Sequence, residues 1–335
     1  MVVRRLLALV LAVGLVVGAL QLRQRLFGDA PADVPDDVRL VCATELADVC
    51  AGLQGPAPVI EDATTTVTRF EQRDPGLDVW LTVQPWPEFA VNARQRATQP
   101  ELVSQSSDVL ARSRVLMAVW VARAAALEGE CAGALTWRCI GERADQPWAQ
   151  IGGESGWGRV KVGLDAPSTS AAGLLELAQA TSSYFGGQAF NSRLLDDPDF
   201  FAWLSTLAVA VEDTGQPPVE RMLLTGSADY EFVGTLESFA APLLARASGR
   251  ADQIELRQVE PAVTADVVAV GYGNATAAAE GIAERVRAPL ADRGWRVPGA
   301  ETASELEPAN LPSNNGLPSV AALEALRRTW MEVAR

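Results

Sequence analysis

Residues 159–180 constrain the fold most, because the chain there changes from one kind of secondary structure to another within a few positions. Residues 160–164 favour a strand, a small polar loop follows at 165–170, and an Ala/Leu-rich segment then has high helix propensity. Ser170 can cap this helix, so its free first-turn amides and the loop hydroxyls predict a donor-rich socket for an anion or a polar ligand. The alternative is a capped strand-to-helix turn that binds nothing.

Similar corners recur along the chain. The run VRLVCA at 38–43 leads into Thr44 and a predicted helix at 45–53, and strand 78–83 leads through Trp86 into helix 88–96. A strand at 230–233 runs into Gly234, Thr235 and a helix at 236–247. We also predict strands over 64–70, 109–121, 254–259 and 265–270, and helices over 122–127, 197–211, 275–293 and 320–333. This alternation predicts an α/β protein whose polar corners lie at the carboxyl edge of a sheet, where such proteins bind ligands.

Composition excludes several classes of function. A net charge of −14 and a pI near 4.6 argue against nucleic acid as a partner, which needs a basic patch. Histidine is absent, which removes Ser-His-Asp catalysis and histidine-based zinc sites, and Lys161 is the only lysine. No pair of acidic residues has a spacing that marks a general acid and base. We therefore expect no enzyme activity, no metal and no cofactor.

The first residues predict export. Arg4 and Arg5 precede an uncharged apolar run at 6–22, which is long enough for a signal-peptide core and at the lower limit for a spanning helix. We predict a signal peptide or signal-anchor helix over 1–28 and a Pro/Ala/Asp-rich linker over 29–37. The protein would then be extracytoplasmic, anchored to the membrane by this helix, or secreted if it is cleaved near Ala19.

Four cysteines form two pairs of sequence neighbours, and in an exported protein their even number suggests disulfides. We predict local pairs, Cys42 with Cys50 and Cys131 with Cys139, among the three pairings that four cysteines allow. Metal binding is the competing interpretation, but the eight-residue spacing lacks a C-x-x-C knuckle.

Five segments in a fixed order carry a resemblance to a known family. They are VRLVCATEL (38–46), LDVWLTVQPWPEFA (77–90), VLARSRVLMAV (109–119), VKVGLDAPSTSAAGLLELA (160–178) and DYEFVGTLESFA (229–240). In this order the chain resembles extracytoplasmic solute-binding proteins of the type II periplasmic fold, and most closely their molybdate-binding-like branch. The resemblance implies two α/β lobes joined by crossover strands, with lobe one at 38–113 and 262–335 and lobe two at 114–261. A solute would bind in the cleft between them.

The resemblance also implies where ligand-binding residues lie. Thr44 falls where the family has a hydroxyl at the end of the first strand, Ser170 and Ala171 fall on its helix start, and Thr235 falls near the lobe-two residue that faces the ligand. With the neighbouring corner residues, the predicted ligand-binding set is Thr44, Glu45, Trp86, Ser168, Thr169, Ser170, Ala171 and Thr235. For Trp86, packing is the commoner role of such a residue.

One segment departs from the family. Between Phe70 and Asp78 the chain has only EQRDPGL, where the family has a serine-bearing corner and a whole helix. This departure and the acidic residues Glu45 and Glu237 leave a neutral or cationic polar solute open beside an oxyanion. We therefore predict binding of a small polar solute for a membrane transporter, such as an ABC transporter, or another membrane partner. The alternative is a degenerate member of the fold that acts as a membrane-anchored interaction scaffold without a small ligand.

Overall fold

A computed structural model of the chain describes residues 34–209, 216–247, 249–299 and 315–334. The predicted signal or anchor segment at 1–28 lies outside the described residues, as does most of the predicted linker. Within the four described ranges, no helix combines the length and the apolar character that crossing a membrane requires.

The described chain alternates strands and helices, as the sequence predicts. The strands are β1 (Leu40–Ala43), β2 (Val59–Glu61), β3 (Val79–Val83), β4 (Ser104–Ser106), β5 (Ala111–Trp120), β6 (Val162–Gly163), β7 (Phe232–Leu236), β8 (Ile254–Arg257) and β9 (Thr264–Tyr272). The helices are α1 (Ala47–Cys50), α2 (Ala63–Arg69), α3 (Trp86–Arg96), α4 (Val121–Glu130), α5 (Trp137–Arg143), α6 (Ala171–Tyr184), α7 (Ser192–Leu195), α8 (Pro198–Val209), α9 (Pro218–Thr225), α10 (Glu237–Arg246), α11 (Thr276–Asp292) and α12 (Val320–Val333).

The strands form one mixed sheet in the order β2-β1-β3-β9-β5-β7-β6, with β4 added to β9 and β8 added to β5. Strand β1 is parallel to both β2 and β3, and β6 is parallel to β7, whereas β9 and β5 run antiparallel to their neighbours. All residues of β1, β3, β7 and β9 are buried, as is usual for strands covered on both faces.

Strand β5 joins the two halves of this sheet. Its residues 111–114 pair with β9, and residues 115–119 pair with β7. The partner therefore changes between Arg114 and Val115, next to the lobe boundary that the sequence predicts at residue 113. The result is a two-lobed α/β fold with an antiparallel crossover. The lobe boundaries themselves stay a prediction.

Helix α12 lies across both halves of the fold. It packs against α6, α7 and α8 in the segment predicted as lobe two, and against α3 in lobe one. Leu323, Leu326 and Trp330 form its buried stripe, which matches the predicted amphipathic pattern. An ion pair between Arg96 Nη1 and Glu324 Oε1, 2.9 Å long, links it to the end of α3.

The predicted strand at 64–70 is wrong, because these residues form helix α2. Asp62 caps the helix by accepting a hydrogen bond from the amide of Thr65 at 2.8 Å, and the hydroxyl of Thr68 donates to the carbonyl of Thr64. Ala63, Thr66 and Val67 are buried, so one face of the helix packs against the core. A strand (β2), a corner and a helix thus precede Phe70.

Two smaller boundaries also differ from the predictions. The helix predicted at 45–53 is a 3-10 turn, Thr44–Leu46, followed by the short α1. Strand β7 extends to Leu236, so Gly234 and Thr235 lie inside the strand and not at its corner. Both predicted disulfides are confirmed, Cys42 with Cys50 and Cys131 with Cys139.

Candidate functional site

The corner after β1 contacts the start of α6 directly. Oε1 of Glu45 accepts hydrogen bonds from the hydroxyl of Ser170 at 3.0 Å and from the amides of Ala171 at 2.7 Å and Ala172 at 3.1 Å. These donors are the socket that the sequence predicts. A carboxylate is favoured there because it completes charge-assisted hydrogen bonds and lies at the positive end of the helix dipole.

The sequence explains both sides of this contact. On one side, Leu46 is fully buried and the Cys42–Cys50 disulfide closes the corner, which fixes the turn that carries Glu45. On the other side, Ser170 caps α6 by accepting from the amide of Gly173 at 3.0 Å. A Cβ at Gly173 would lie 2.4 Å from the carbonyl oxygen of Asp165, so only glycine lets the polar loop pack against the first turn.

A second set of polar contacts lies beside the first. The hydroxyl of Thr64, at the start of α2, donates to the carbonyl of Ser168 at 2.8 Å. Nη1 of Arg327, on α12, lies 3.3 Å from the Thr64 hydroxyl and 3.4 Å from the same carbonyl. Desolvation lowers the pKa of the Arg327 guanidinium. Three elements that are far apart in the sequence therefore meet at the loop before α6.

Two further carboxyl groups lie behind the socket. Oε2 of the fully buried Glu176 accepts from the amide of Asp165 at 3.0 Å. Burial, with the nearby charge of Asp165, raises the pKa of Glu176 well above its usual range. Burial, with the charges of Glu45 and Glu220, raises the pKa of Asp165 to about 7. Both shifts favour the protonated forms of these two carboxyl groups.

Two oxygen atoms at this contact are buried without a hydrogen-bond partner among the described residues. They are Oε2 of Glu45 and Oε1 of Glu176. A buried polar atom without a partner costs free energy. The contact between the corners therefore has well-paired polar atoms at one point and unsatisfied ones beside it.

The structure brings together part of the predicted ligand-binding set. Glu45, Ser170 and Ala171 meet in the socket, and Ser168 adjoins them through its carbonyl. Thr44 and Thr169 are exposed.

The other two predicted residues lie inside the protein. Trp86 is fully buried and packs edge to face on Phe89, with ring centroids 5.0 Å apart. Thr235 is buried in β7, opposite Leu116 of β5.

Four residues at the contact are absent from the predicted set: Thr64, Asp165, Glu176 and Arg327. Asp165 belongs to the polar loop and was within reach of the sequence argument. The other three lie on predicted or actual secondary structure far from the loop, and no local pattern connects them to it.

A cavity of about 680 Å³ lies at the opposite edge of the sheet. Its lining comes from residues before β1 and β3 and after β9, including Arg39, Asp78 and Asn274. It is thus separate from the corner of Glu45. Within the described ranges, no cluster of three or more Asp, Glu or Cys side chains is placed to hold a metal ion.

No family model matches the sequence. A search of curated proteins likewise finds no match. Solved structures do match the fold. A periplasmic thiamin binding protein has a TM-score of 0.56 at 13% identity, over 89% of this chain and 96% of that chain. Iron-bound HitA from Pseudomonas aeruginosa has a TM-score of 0.54 at 13% identity, over 89% and 98%.

A Trichodesmium protein, IdiA or FutA, in complex with iron and citrate has a TM-score of 0.50 at 12% identity, over 89% of this chain and 97% of that chain. At such identities the likeness concerns the fold: the chain has the two-lobed α/β architecture of type II periplasmic solute-binding proteins. The assignment to the molybdate-binding-like branch stays a prediction.

Proposed function

We propose that this chain, with its two-lobed solute-binding fold, binds a small polar solute outside the cytoplasm, between the corner after β1 and the start of α6. The observation that carries the proposal is the socket formed by the Ser170 hydroxyl and the amides of Ala171 and Ala172, which faces the other lobe and already holds a carboxylate. Donors of this kind recognise an anionic or strongly polar group.

Delivery of the solute to a membrane transporter, or its detection for another membrane protein, belongs to the same proposal. Its support is the fold, together with the apolar N-terminal run that predicts export and anchoring.

Thermal unfolding of the full-length protein against panels of oxyanions, amino acids, sugars and amines tests the binding. A true ligand raises Tm, and the rise grows with the logarithm of the ligand concentration. At a ligand concentration of one hundred times Kd, the free energy of unfolding increases by about 2.7 kcal/mol. Ser170→Ala should abolish the shift. Thr136→Ala is the matched control, because it removes an equivalent hydroxyl cap, at α5, away from the socket. A panel without any shift would contradict solute binding.

A specific observation also favours a second function, that of an interaction scaffold. Glu45 fills the socket, and α12 packs across both lobes. Residues of the chain itself therefore occupy the position where a solute would bind. Crosslinking from Met331 on α12 in a membrane preparation should then recover a defined membrane protein. If it recovers none while the ligand panel gives a shift, solute binding stands and the scaffold does not.

A further inference from the structure

We propose that Glu45 is an internal ligand of this protein: its carboxylate occupies the amide socket of α6 and latches the two lobes together in the absence of a solute. The inference goes beyond the proposed function, because the latch would act on the lobes whether or not a solute binds.

The first argument is that Glu45 leaves the socket no free donor. The hydroxyl of Ser170 and the amides of Ala171 and Ala172 all donate to its Oε1, and the third amide of the first turn, Gly173, donates to Ser170 Oγ. An incoming anion therefore finds these four donors paired and must first displace Glu45. This is the arrangement of a bound acidic ligand, supplied here by the chain itself.

The second argument is that Glu45 projects from a fixed support. The turn that carries it lies between β1 and α1, which the Cys42–Cys50 disulfide joins, and Leu46 anchors it in the core. The residues that the contact joins are 125 to 127 positions apart in the sequence. A side chain held in this way couples the position of one lobe to that of the other.

The third argument is that the Glu45 contact has destabilising features as well as stabilising ones. The carboxyl groups of Asp165 and Glu176 lie near that of Glu45, the guanidinium of Arg327 lies at the adjacent Ser168 carbonyl, and Oε2 of Glu45 is buried without a partner among the described residues. The Glu45 carboxylate therefore gains three hydrogen bonds but leaves one buried oxygen atom unsatisfied. We expect such a contact to be released more readily than one in which every polar atom is satisfied.

Hydrogen exchange followed by mass spectrometry tests the latch in the full-length protein. For Glu45→Ala we expect exchange at least tenfold faster in residues 168–175. We expect the same at the neighbouring interlobe contact, in residues 59–69 and 320–333. Glu71→Ala is the matched control, because Glu71 is an exposed glutamate near α2 whose removal should leave all three segments at the wild-type rate. Faster exchange confined to 168–175 would overturn the latch and leave Glu45 as a local helix cap.

Small carboxylates test the idea of an internal ligand. Sodium acetate or formate can refill the socket but is not attached to the corner after β1. Either should therefore slow exchange of Glu45→Ala in residues 168–175 and leave 59–69 and 320–333 fast, whereas sodium chloride at equal ionic strength should slow none of them. The wild-type protein should respond less, because the added carboxylate must first displace Glu45. No slowing by either carboxylate would overturn the claim that the socket takes a carboxylate in place of Glu45.

If Glu45→Ala does not fold, a substitution on the socket side of the contact tests the latch instead. Ser170→Ala removes one of the three donors, so exchange in residues 59–69 should rise severalfold although this segment is distant in sequence. Wild-type rates in 59–69 for a folded Ser170→Ala, judged by its circular dichroism and two intact disulfides, would overturn the latch.

Discussion

At the scale of the residue, the carboxyl group of Asp165 makes the free energy of unfolding depend on pH. The pKa of Asp165 is raised to about 7 by burial and by the charges of Glu45 and Glu220. In an unfolded chain an aspartate titrates near 4. Between these two values the folded protein binds a proton that the unfolded protein does not, so the free energy of unfolding falls as pH rises from about 4 to about 7.

Asp165→Asn should remove this pH-dependent fall in the free energy of unfolding. At pH 8 we expect the variant to be more stable than wild type by about 1–3 kcal/mol, since one pKa unit corresponds to about 1.4 kcal/mol and the coupling to Glu176 shares the shift. At pH 4 the difference should nearly vanish, because wild-type Asp165 is then protonated. Urea unfolding at both pH values measures this, with the exposed Asp36→Asn as control. A variant less stable than wild type at pH 8 would contradict the assigned burial.

The residues of the socket were predictable to different degrees. Ser170 was predicted as a cap from its position before an Ala/Leu-rich run, and it is one. Glu45 was predicted as part of the ligand-binding set and as an acidic residue that disfavours an oxyanion, yet its carboxylate takes the place of the anion. Propensity and capping act over a few residues, whereas this contact joins positions more than 120 residues apart.

At the scale of elements, the crossover between the lobes carries a buried ionic cluster. Glu237, at the start of α10, accepts two hydrogen bonds from Arg114 of β5, both 2.9 Å, and two from Arg296, at 2.9 and 2.6 Å. The Glu237 side chain is only 1% exposed. One carboxylate thus forms ion pairs with two guanidinium groups where β5 changes its partner strand.

Glu237→Gln should therefore destabilise the protein strongly. Loss of the negative charge removes the ion pairs with the buried Arg114 and the half-buried Arg296, and we expect a loss of about 3–5 kcal/mol in urea unfolding. Glu284→Gln serves as the control, because it breaks an exposed i,i+3 ion pair with Arg287 and should cost less than about 1 kcal/mol. Equal effects of the two substitutions would mean that the cluster contributes no more than a surface pair.

A second element-scale prediction concerns the disulfide between Cys131 and Cys139, which links the end of α4 to α5. Replacing both cysteines by serine should lower the free energy of unfolding by about 2–3 kcal/mol, the loop-closure value for a short segment. The fold should survive, because Trp137 and Ile140 of α5 are fully buried. Calorimetry and circular dichroism of the double variant measure both. Full unfolding at 25 °C would show that the bridge determines the fold of this region.

Helix α2 shows why one element was predicted wrongly. The run TTTVTRF has the β-branched composition of a strand, but three of its threonines make local hydrogen bonds that suit a helix: to Asp62, to Glu61 and to the carbonyl of Thr64. Packing of Ala63, Thr66 and Val67 against the core then outweighs intrinsic propensity, as it does for most short helices.

At the scale of the whole molecule, α12 determines how the two lobes are held together. The sequence predicted this helix, and the family resemblance implied that it belongs to lobe one. Its packing against α6, α7 and α8 as well as α3 depends on long-range geometry that the stripe alone does not specify.

Ending the chain after residue 318, just before α12, should loosen the lobes without unfolding either of them. The truncation removes Leu323, Leu326 and Trp330 from between the lobes and with them the Arg327 contact to Ser168 and Thr64. We expect a lower Tm and faster amide exchange in α7, α8 and residues 168–172, while β1, β3 and β9 keep their wild-type protection, because they pair with one another inside lobe one.

The control for the truncation is Glu332→Ala, which alters an exposed position of the same helix and should change nothing. Arg327→Ala separates the polar contact from the apolar packing. It should speed exchange in residues 168–172 and leave α7 and α8 protected, because the buried stripe of α12 remains in place. If the truncated chain instead loses protection in β1, β3 and β9 as well, the two lobes unfold as one cooperative unit. In that case α12 stabilises the fold as a whole and does not merely hold the lobes together.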